Sequence, residues 1–318
     1  MITLQFCYVV AGMAFGSYAV LSAFDHRNRK HLGNAGFWGL FASSFLFGSY
    51  LTDWQNGLLV LALILLGGCG LLGHGRPSTT SPEERHESAE RRGNWLFAPA
   101  LLVPGIALFG TLFLKQVQIG ALPLLDAKNV TIISLVLGIV VALAVAMLWL
   151  KPGPLAPLQE GRRLADMVGW AIILPQLLAS LGAIFALSGV GNAVGEIATR
   201  YLPLDKPFEA VAVYCLGMAA FTAIMGNAFA AFPVMTAAIG LPLVVHQFHG
   251  NPAIMAAIGM LSGFCGTLAT PMAANFNIVP AALLELPDRN GVIKAQLPTA
   301  GLMLIANTLL MYALAFRF

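Results

Sequence analysis

The sequence predicts an all-α fold, a polytopic transmembrane helical bundle of about nine to ten membrane segments. Three observations support this prediction. The 318 residues are 58% hydrophobic and only 10% charged, whereas an average soluble domain carries about 25% charged residues. Uncharged apolar runs of about 20 residues, the length needed to cross a bilayer, recur along the chain. Two longer apolar regions of the C-terminal half contain Gly, Asn, Thr and Pro, which predicts a helical hairpin and a broken helix.

Seven apolar runs have the length of a single span at a rise of about 1.5 Å per residue. They are residues 4–24, 34–51, 57–73, 95–114, 130–150, 166–188 and 298–316. Residues 208–247 and 252–286 lie between the sixth and the last of these runs and are too long for one simple span. We expect the first of the two regions to fold back on itself and the second to be interrupted.

The chain divides into two predicted regions. Residues 1–165 are expected to be N-terminal scaffold helices, with a polar cytoplasmic loop over residues 74–94. Residues 166–318 are expected to be a transport-type half that contains the hairpin and the broken helix. The loop is rich in Ser, Pro and Glu, and we expect it to be partly helical from Pro82. A solvated connector is its favoured interpretation, and a regulatory or partner-binding surface is the alternative.

The distribution of Lys and Arg predicts the orientation in the membrane. The loops 25–33, 74–94 and 151–165 contain ten of these residues, whereas the alternate loops 52–56, 115–129 and 189–207 contain four. Cytoplasmic loops carry an excess of positive residues. We therefore expect a multi-pass protein of the bacterial cytoplasmic (inner) membrane with its N-terminus outside.

Composition and motifs argue against several other function classes. The net charge of +3 is small and gives no reason to expect a nucleic-acid partner. The four cysteines form no CxxC motif, which argues against a metal site. No Gly-x-Ser-x-Gly or His-Glu-x-x-His motif occurs, so we expect no enzyme and no cofactor. An intramembrane enzyme is the least supported alternative.

The first break is the pair Gly226–Asn227, near the middle of residues 208–247. A water-exposed loop between two spans would usually carry charges, and this pair carries none. The pair therefore favours a hairpin tip buried at membrane depth, where irregular backbone is tolerated only inside protein or beside a wet cavity. Two full spans joined by a short turn are the alternative.

The second break lies within residues 252–286. The pairs Gly266–Thr267 and Thr270–Pro271 and the residues from Asn275 to Asn277 interrupt a helical pattern there. Pro271 has no backbone N–H, and a proline biases the preceding residue away from the helix. This pattern predicts a helix that is unwound at membrane depth.

Broken helices expose N–H groups at one half-helix and carbonyls at the other, and these groups can bind a carboxylate or Na⁺. We therefore predict that the substrate- and ion-binding residues are Gly226, Asn227, Gly266, Thr267, Thr270, Pro271, Asn275 and Asn277. Na⁺, as a coupling ion, would be held by Asn227, Thr267 and Thr270. The alternative is that these polar side chains only join helices through hydrogen bonds.

Five runs closely resemble a bacterial family of unknown-function membrane proteins that are described as subunits of a 5-oxoproline (pyroglutamate) transporter. The runs are MITLQF, FWGLFASSFLFGSYL, KNVTIISLVLGIVVALAVA, MGNAFAAFPVMTAAIGLPLV and GFCGTLATPMAANFNIVPAALLEL. The resemblance thus covers nearly the whole chain. It implies uptake of 5-oxoproline, and it implies a smaller membrane-protein partner, usually encoded alongside, that forms the other part of the transporter.

A wider resemblance is to the ion transporter superfamily of anion symporters. There, each of two inverted repeats has a hairpin with a Ser-Asn-Thr tip, followed by an unwound helix. Here Gly226–Asn227–Ala228 stands in place of that tip, and only the Asn matches; Thr270–Pro271 with Asn275 is similar to the second loop. Residues 1–188 contain no matching pair. The resemblance implies that the partner, or a second copy of this chain in a homodimer, supplies the other repeat.

These observations together predict a subunit of a secondary active transporter, a symporter for a small organic anion, with 5-oxoproline as the first candidate. Because no acidic residue lies deep in a predicted span, Na⁺ is favoured over H⁺ as the coupling ion. The main alternative is an accessory membrane subunit that stabilises or gates a partner without contacting the substrate.

Overall fold

The computed structural model describes residues 1–73, 75, 81–114, 117–119, 122–201 and 204–317, and this part of the chain is mostly helical. The helices are α1 (Leu4–Ala23), α2 (His31–Phe47), α3 (Asp53–Gly68), α4 (Pro82–Arg92), α5 (Phe97–Leu112), α6 (Val130–Leu150), α7 (Ala156–Val168), α8 (Leu174–Leu187), α9 (Val190–Tyr201), α10 (Pro207–Met225), α11 (Ala228–Met235), a π-helix (Thr236–Gln247), α12 (Pro252–Leu268), α13 (Ile278–Leu283) and α14 (Gly291–Ala315). Two short strands, β1 (Gln118–Ile119) and β2 (Leu122–Pro123), form an antiparallel ribbon.

Within the described residues, seven helical segments are long and apolar enough to cross a membrane. They are Leu4–Ala23, Glu83–Leu112, Val130–Leu150, Ala156–Phe185, Pro207–Met225, Ala228–Gln247 and Gly291–Ala315. The apolar helices α3 and α12 are shorter. The all-α polytopic bundle that the sequence predicts is therefore confirmed.

Two regions that the sequence assigns to loops are helical. Most of the expected loop 151–165 belongs to α7, and the expected loop 189–207 contains α9. Both helices carry charged residues, so a search for uncharged runs misses them. In the loop 74–94, the predicted helix from Pro82 is confirmed, and Ser81 and Glu84 form a capping box at its start. Residues 74 and 76–80 of that loop lie outside the described residues.

The chain forms two compact units, Met1–Gly169 and Trp170–Phe318. Their boundary lies close to the division expected after residue 165, and the scaffold and transport roles expected for the two regions stay predictions.

In the first unit, aromatic rings join α1 to α2. Phe15 stacks on Trp38 with ring centroids 5.6 Å apart and meets the Phe41 ring edge-on at 4.7 Å. These contacts give the helix pair an aromatic core.

Charged side chains are buried within the first unit. Arg162 on α7 donates to Asp25 Oδ2 at 2.9 Å and to the Leu21 carbonyl at 2.7 Å. Asp166, one turn further along α7, accepts a hydrogen bond from Trp38 Nε1 at 2.8 Å. Arg162 and Asp166 are each only 4% exposed. Buried charges are tolerated only with such partners, so these two residues tie α7 to α1 and α2.

In the second unit, α10 lies at the centre of the hydrophobic core, and its Tyr214 is fully buried. Two glycines face the Tyr214 ring. A Cβ atom placed at Gly259 of α12 would lie 2.6 Å from Tyr214 Cε1, and one placed at Gly240 of the π-helix would lie 3.0 Å from Cε2. Since side chains there would collide with the ring, the glycines are what allow both helices to approach α10.

Replacing Arg162 with alanine is expected to destabilise the protein by about 3–5 kcal/mol, because Asp25 would stay buried without its cation. The matched control is Arg163→Ala. Arg163 contacts Glu160 in a partly exposed pair, so its loss should change the free energy of unfolding by about 0–1 kcal/mol. Thermal unfolding of both purified variants in one detergent measures the difference, and equal shifts would contradict the assigned role of Arg162.

Candidate functional site

Residues 207–247 form an antiparallel helical hairpin, as predicted. The helix α10 is its first arm, and α11 continued by the π-helix is its second. Across the hairpin, the Tyr214 hydroxyl lies 3.2 Å from Thr236 Oγ1. Nearer the turn, Gly217 lies against the Met235 side chain. The arms have 19 and 20 residues, so each is long enough to cross a bilayer.

The tip of the hairpin consists of only two residues, Gly226 and Asn227. Gly226 has a left-handed φ of +73°, which favours glycine, and its N–H donates to the Thr222 carbonyl at 2.7 Å. Asn227 is the N-cap of α11, and its side-chain oxygen accepts a hydrogen bond from the Phe229 N–H at 2.8 Å. Each residue therefore closes one helix end, and the chain reverses without a longer polar loop.

The predicted break in the next region is confirmed, because α12 ends at Leu268 and α13 begins at Ile278. We call residues 269–277 the unwound segment. Asn277 is fully buried, and its Nδ2 donates to the carbonyls of Thr267 at 2.8 Å and Thr270 at 2.6 Å. Carbonyls at an interrupted helix end lack their usual donors. The Asn277 amide supplies two of those donors and so stabilises the non-helical backbone.

The two predicted threonines make local hydrogen bonds. Thr267 Oγ1 donates to the Phe264 carbonyl at 2.6 Å, within its own helix. Thr270 Oγ1 accepts a hydrogen bond from the Met272 N–H at 3.2 Å. Both side chains are buried, whereas Pro271 between Thr270 and Met272 is exposed. The hydroxyl groups thus lie inside the break and help to fix its backbone.

The hairpin tip packs directly against the unwound segment. A Cβ atom placed at Gly226 would lie 2.6 Å from the Met272 carbonyl oxygen. In α12, shortly before the unwound segment, Gly266 lies against the Ala219 backbone, and Gly263 lies against the Ala228 side chain. These glycines let the two broken elements meet backbone to backbone. The structure therefore brings together the two clusters that the sequence places about forty residues apart.

The eight predicted site residues differ in accessibility. Buried are Gly226, Gly266, Thr267, Thr270 and Asn277; Asn227 is half-buried; Pro271 and Asn275 are exposed.

The accessible residues border an aromatic surface. The Phe264 ring contacts the Phe229 ring, with centroids 5.8 Å apart, and the Phe276 ring, with centroids 6.5 Å apart. Phe229 and Phe276, which follow Asn227 and Asn275 in the sequence, therefore both contact the Phe264 ring. We call Asn227, Phe229, Asn275 and Phe276 the tip surface. It combines two amide side chains with two large apolar ones.

Sequence reasoning missed Thr222, which lies beside the tip. Its side chain is fully buried, and among the described residues no group hydrogen-bonds its hydroxyl. A Cβ atom placed at Gly263 would lie 3.3 Å from this hydroxyl. Thr222 precedes Gly226 by one helical turn, so the two residues share a helix face. That spacing is the signal that could have identified it.

The site offers uncharged oxygen and nitrogen atoms. Neither the tip nor the unwound segment contains Asp, Glu, His, Lys or Arg. The described residues contain no group of three or more His, Cys, Asp or Glu that could hold a metal ion. Besides Thr222, the Asn277 side-chain oxygen is buried without a described hydrogen-bond partner. Amide, hydroxyl and carbonyl groups of this kind suit a hydrogen-bonding solute or an alkali cation.

A protein-family model matches this chain. The family described as "Protein of unknown function (DUF979)" matches residues 5–316, which is nearly the whole chain. No curated protein and no solved structure matches the chain.

Replacing Asn277 with alanine is expected to destabilise the protein by about 1–3 kcal/mol, because the Thr267 and Thr270 carbonyls would lose their buried donor. Asn275→Ala is the control, since Asn275 is exposed only two residues away. Its replacement should change the stability by less than about 0.5 kcal/mol. Chemical denaturation in detergent compares the variants, and a larger effect at Asn275 would contradict the arrangement of the unwound segment.

Replacing Gly226 with alanine is expected to separate the tip from the unwound segment. The left-handed backbone disfavours alanine by about 1–2 kcal/mol, and the new Cβ would collide with Met272. Gly301→Ala in α14 is the control, because a Cβ placed there has no atom within 4 Å. Hydrogen exchange of the amides of residues 263–277 should become faster only in the Gly226 variant. Unchanged exchange would mean that the tip does not support the segment.

Proposed function

The chain belongs to the DUF979 family, and we propose that it is a subunit of a secondary active transporter, a symporter for a small organic anion. We propose that it acts in the bacterial cytoplasmic membrane with its N-terminus outside, as the charge asymmetry of its loops favours. The substrate to test first is 5-oxoproline. The single observation that carries the proposal is the contact between the hairpin tip and the unwound segment.

This contact supports transport because broken helices are costly inside a bilayer. An unpaired backbone group in hydrocarbon costs several kcal/mol, so irregular backbone occurs at membrane depth only inside protein or beside a wet cavity. Here two breaks occur and they meet, at Gly226 and Met272. Secondary transporters place their substrate and coupling-ion sites at such interrupted helices.

The site could hold an anion without a cationic side chain. The helix α11 starts at the tip, and the positive end of its dipole favours a carboxylate. The amide groups of Asn227 and Asn275 can donate further hydrogen bonds. A cyclic amide such as 5-oxoproline carries an N–H and a carbonyl besides its carboxylate, and these complement the donor and acceptor of an asparagine side chain.

Na⁺ and H⁺ each have support as the coupling ion. Asn227, Thr267 and Thr270 are the proposed Na⁺ ligands, through their amide and hydroxyl oxygens. The carbonyls of Thr267 and Thr270 already accept from Asn277, so they are less suited to this role. Asp166 stands at the start of the predicted span 166–188, and the structure buries its carboxylate. That carboxylate is the observation in favour of H⁺.

The tip surface supports a site shared with another chain. Phe229 is 64% exposed and Phe276 is 43% exposed, and Asn275 beside them belongs to non-helical backbone. Such backbone cannot face lipid. We therefore propose that a second protein chain covers the tip surface and completes the site. The smaller membrane-protein partner implied by the family resemblance is the first candidate, and a second copy of this chain is the other.

One observation favours the accessory-subunit alternative. Asn227 caps α11, Thr267 bonds within α12, and Asn277 bonds the end of α12. All these hydrogen bonds are made inside the chain, as they would be in a subunit that only holds its fold beside a partner pore.

The deciding experiment is uptake of labelled 5-oxoproline into proteoliposomes, with the chain alone and with its smaller partner, each with and without a Na⁺ gradient. With both chains present, Asn227→Ala is expected to lower the initial uptake rate at least about tenfold, which corresponds to about 1.4 kcal/mol. Asn251→Ala is the matched control. Asn251 caps α12 with its side-chain oxygen but lies outside the tip, so its loss weakens a helix end without touching the proposed site.

The outcomes separate the hypotheses. Uptake that falls only in the Asn227 variant supports a substrate site at the tip. Equal losses in both variants would indicate a stability effect, and undiminished uptake in both would support the accessory role. If no combination transports 5-oxoproline, a panel of other small carboxylates replaces it, and failure with all of them would contradict the proposal.

A further inference from the structure

A cleft in the first unit lies between α5 and α6. It has a volume of about 410 Å³ and is lined by Trp95, Ala98, Pro99, Leu102, Val145 and Trp149. Its walls are apolar apart from the two indole N–H groups. The volume is within the range of about 300–1,000 Å³ that is common for ligand pockets.

The cleft lies at one end of a tightly packed helix pair. Further along the pair, Gly110 of α5 lies against Ser134 of α6. A Cβ atom placed at Gly138 of α6 would lie 2.9 Å from the Val103 carbonyl oxygen. The glycines thus bring the two antiparallel helices together over most of their length. The opening is confined to the start of α5 and the end of α6, where both tryptophans lie.

A cation is held at the mouth of the cleft. The Arg92 guanidinium lies over the Trp149 ring, 5.9 Å from its centroid, which is within the range of a cation–π contact. Its Nη1 donates to Ser88 Oγ at 2.5 Å. Within the part of the chain that the structure describes, Arg92 has no carboxylate partner. Its neighbour Arg91 differs, because Arg91 pairs with Glu87 at 2.6 Å.

The charges around Arg92 leave it available to an anion. On α4, Glu87 is paired with Arg91, and Glu90 lies 3.2 Å from His86. A further cation, Lys151, follows Trp149 by two residues at the end of α6. The mouth of the cleft therefore offers a half-buried guanidinium, and Glu87 and Glu90 of the adjoining helix are paired with other side chains.

The position of the cleft matches a membrane interface. Trp95 lies just before the start of α5, and Trp149 lies next to the last residue of α6. Both helices belong to segments that are long and apolar enough to cross a membrane. Tryptophan is enriched at the headgroup level of bilayers, and Trp95 is 75% exposed. Basic pockets between transmembrane helices at the cytoplasmic side bind anionic lipid headgroups. By the charge distribution, this end of α5 and α6 is the predicted cytoplasmic end.

We propose that the cleft between α5 and α6 binds one anionic phospholipid, with an acyl chain between Trp95 and Trp149 and its phosphate on Arg92. The apolar walls can surround hydrocarbon, and the guanidinium can donate hydrogen bonds to the phosphate oxygens. A soluble phosphate would use only the second feature. This site lies within the first unit and does not depend on the transport proposal.

The test is quenching of tryptophan fluorescence by brominated lipids in the full-length chain. Trp54 and Trp170 are replaced by Phe, so that Trp95 and Trp149 are the remaining exposed tryptophans; Trp38 is buried. Dibrominated phosphatidylglycerol is titrated against dibrominated phosphatidylcholine in mixed detergent micelles. Phosphatidylglycerol should quench at a lower mole fraction. Arg92→Gln should raise its half-saturating mole fraction about fivefold, since one basic residue near a lipid surface contributes about 1 kcal/mol.

Arg91→Gln removes the same charge one residue away and should leave the titration within about twofold of the parent. Arg92→Lys keeps the charge and should retain most of the preference, which separates a folding defect from the loss of a phosphate contact. Inorganic phosphate should not compete. Equal quenching by both lipids, equal effects of Arg91→Gln and Arg92→Gln, or full competition by inorganic phosphate would each overturn the proposal.

Discussion

The second unit depends on one constraint: backbone polar groups in an apolar chain must find partners inside the protein. The Asn277 amide meets this constraint at the unwound segment by donating to the Thr267 and Thr270 carbonyls. The tip meets it with two local bonds, from Gly226 to Thr222 and from Phe229 to Asn227. These bonds satisfy backbone groups at the end of α10, the start of α11 and the end of α12, where the regular helical bonding stops.

Small residues allow the hairpin and the region of α12 with the unwound segment to pack closely against each other. At several points where the hairpin meets α12 or the unwound segment, a glycine faces a backbone group or a bulky side chain, as Gly226 faces Met272 and Gly259 faces Tyr214. Without a hydrophobic driving force between helices in lipid, close packing of this kind is a main source of association. The same close approach places the uncharged polar atoms of the two breaks together, and the proposed site is built from them.

The two units stabilise their buried polar groups in different ways. The first unit buries charges, and Arg162 neutralises Asp25 while Asp166 accepts from Trp38. The second unit uses amides, hydroxyls and backbone groups at its breaks. The neutral groups of the second unit can meet an anion or a cation, whereas the buried ion pair of the first unit is already satisfied. This contrast is why the proposed transport site is assigned to the second unit and a stabilising role to the charged cluster of the first.

The sequence by itself determined the membrane class, most of the helices and the positions of both breaks, because these follow from hydrophobic run length and from Gly, Pro and Asn in local backbone roles. The helix from Pro82, α4, was also predicted from the sequence. The sequence analysis assigned the charged helices α7 and α9 to loops. In α7, partners elsewhere in the fold compensate Arg162 and Asp166, and the local sequence does not show those partners. Only the tertiary structure distinguished Asn277, fully buried, from Asn275, exposed. The unwound segment has no helical period to assign a face, so the direction of each side chain is decided by the long-range packing of the hairpin tip against it.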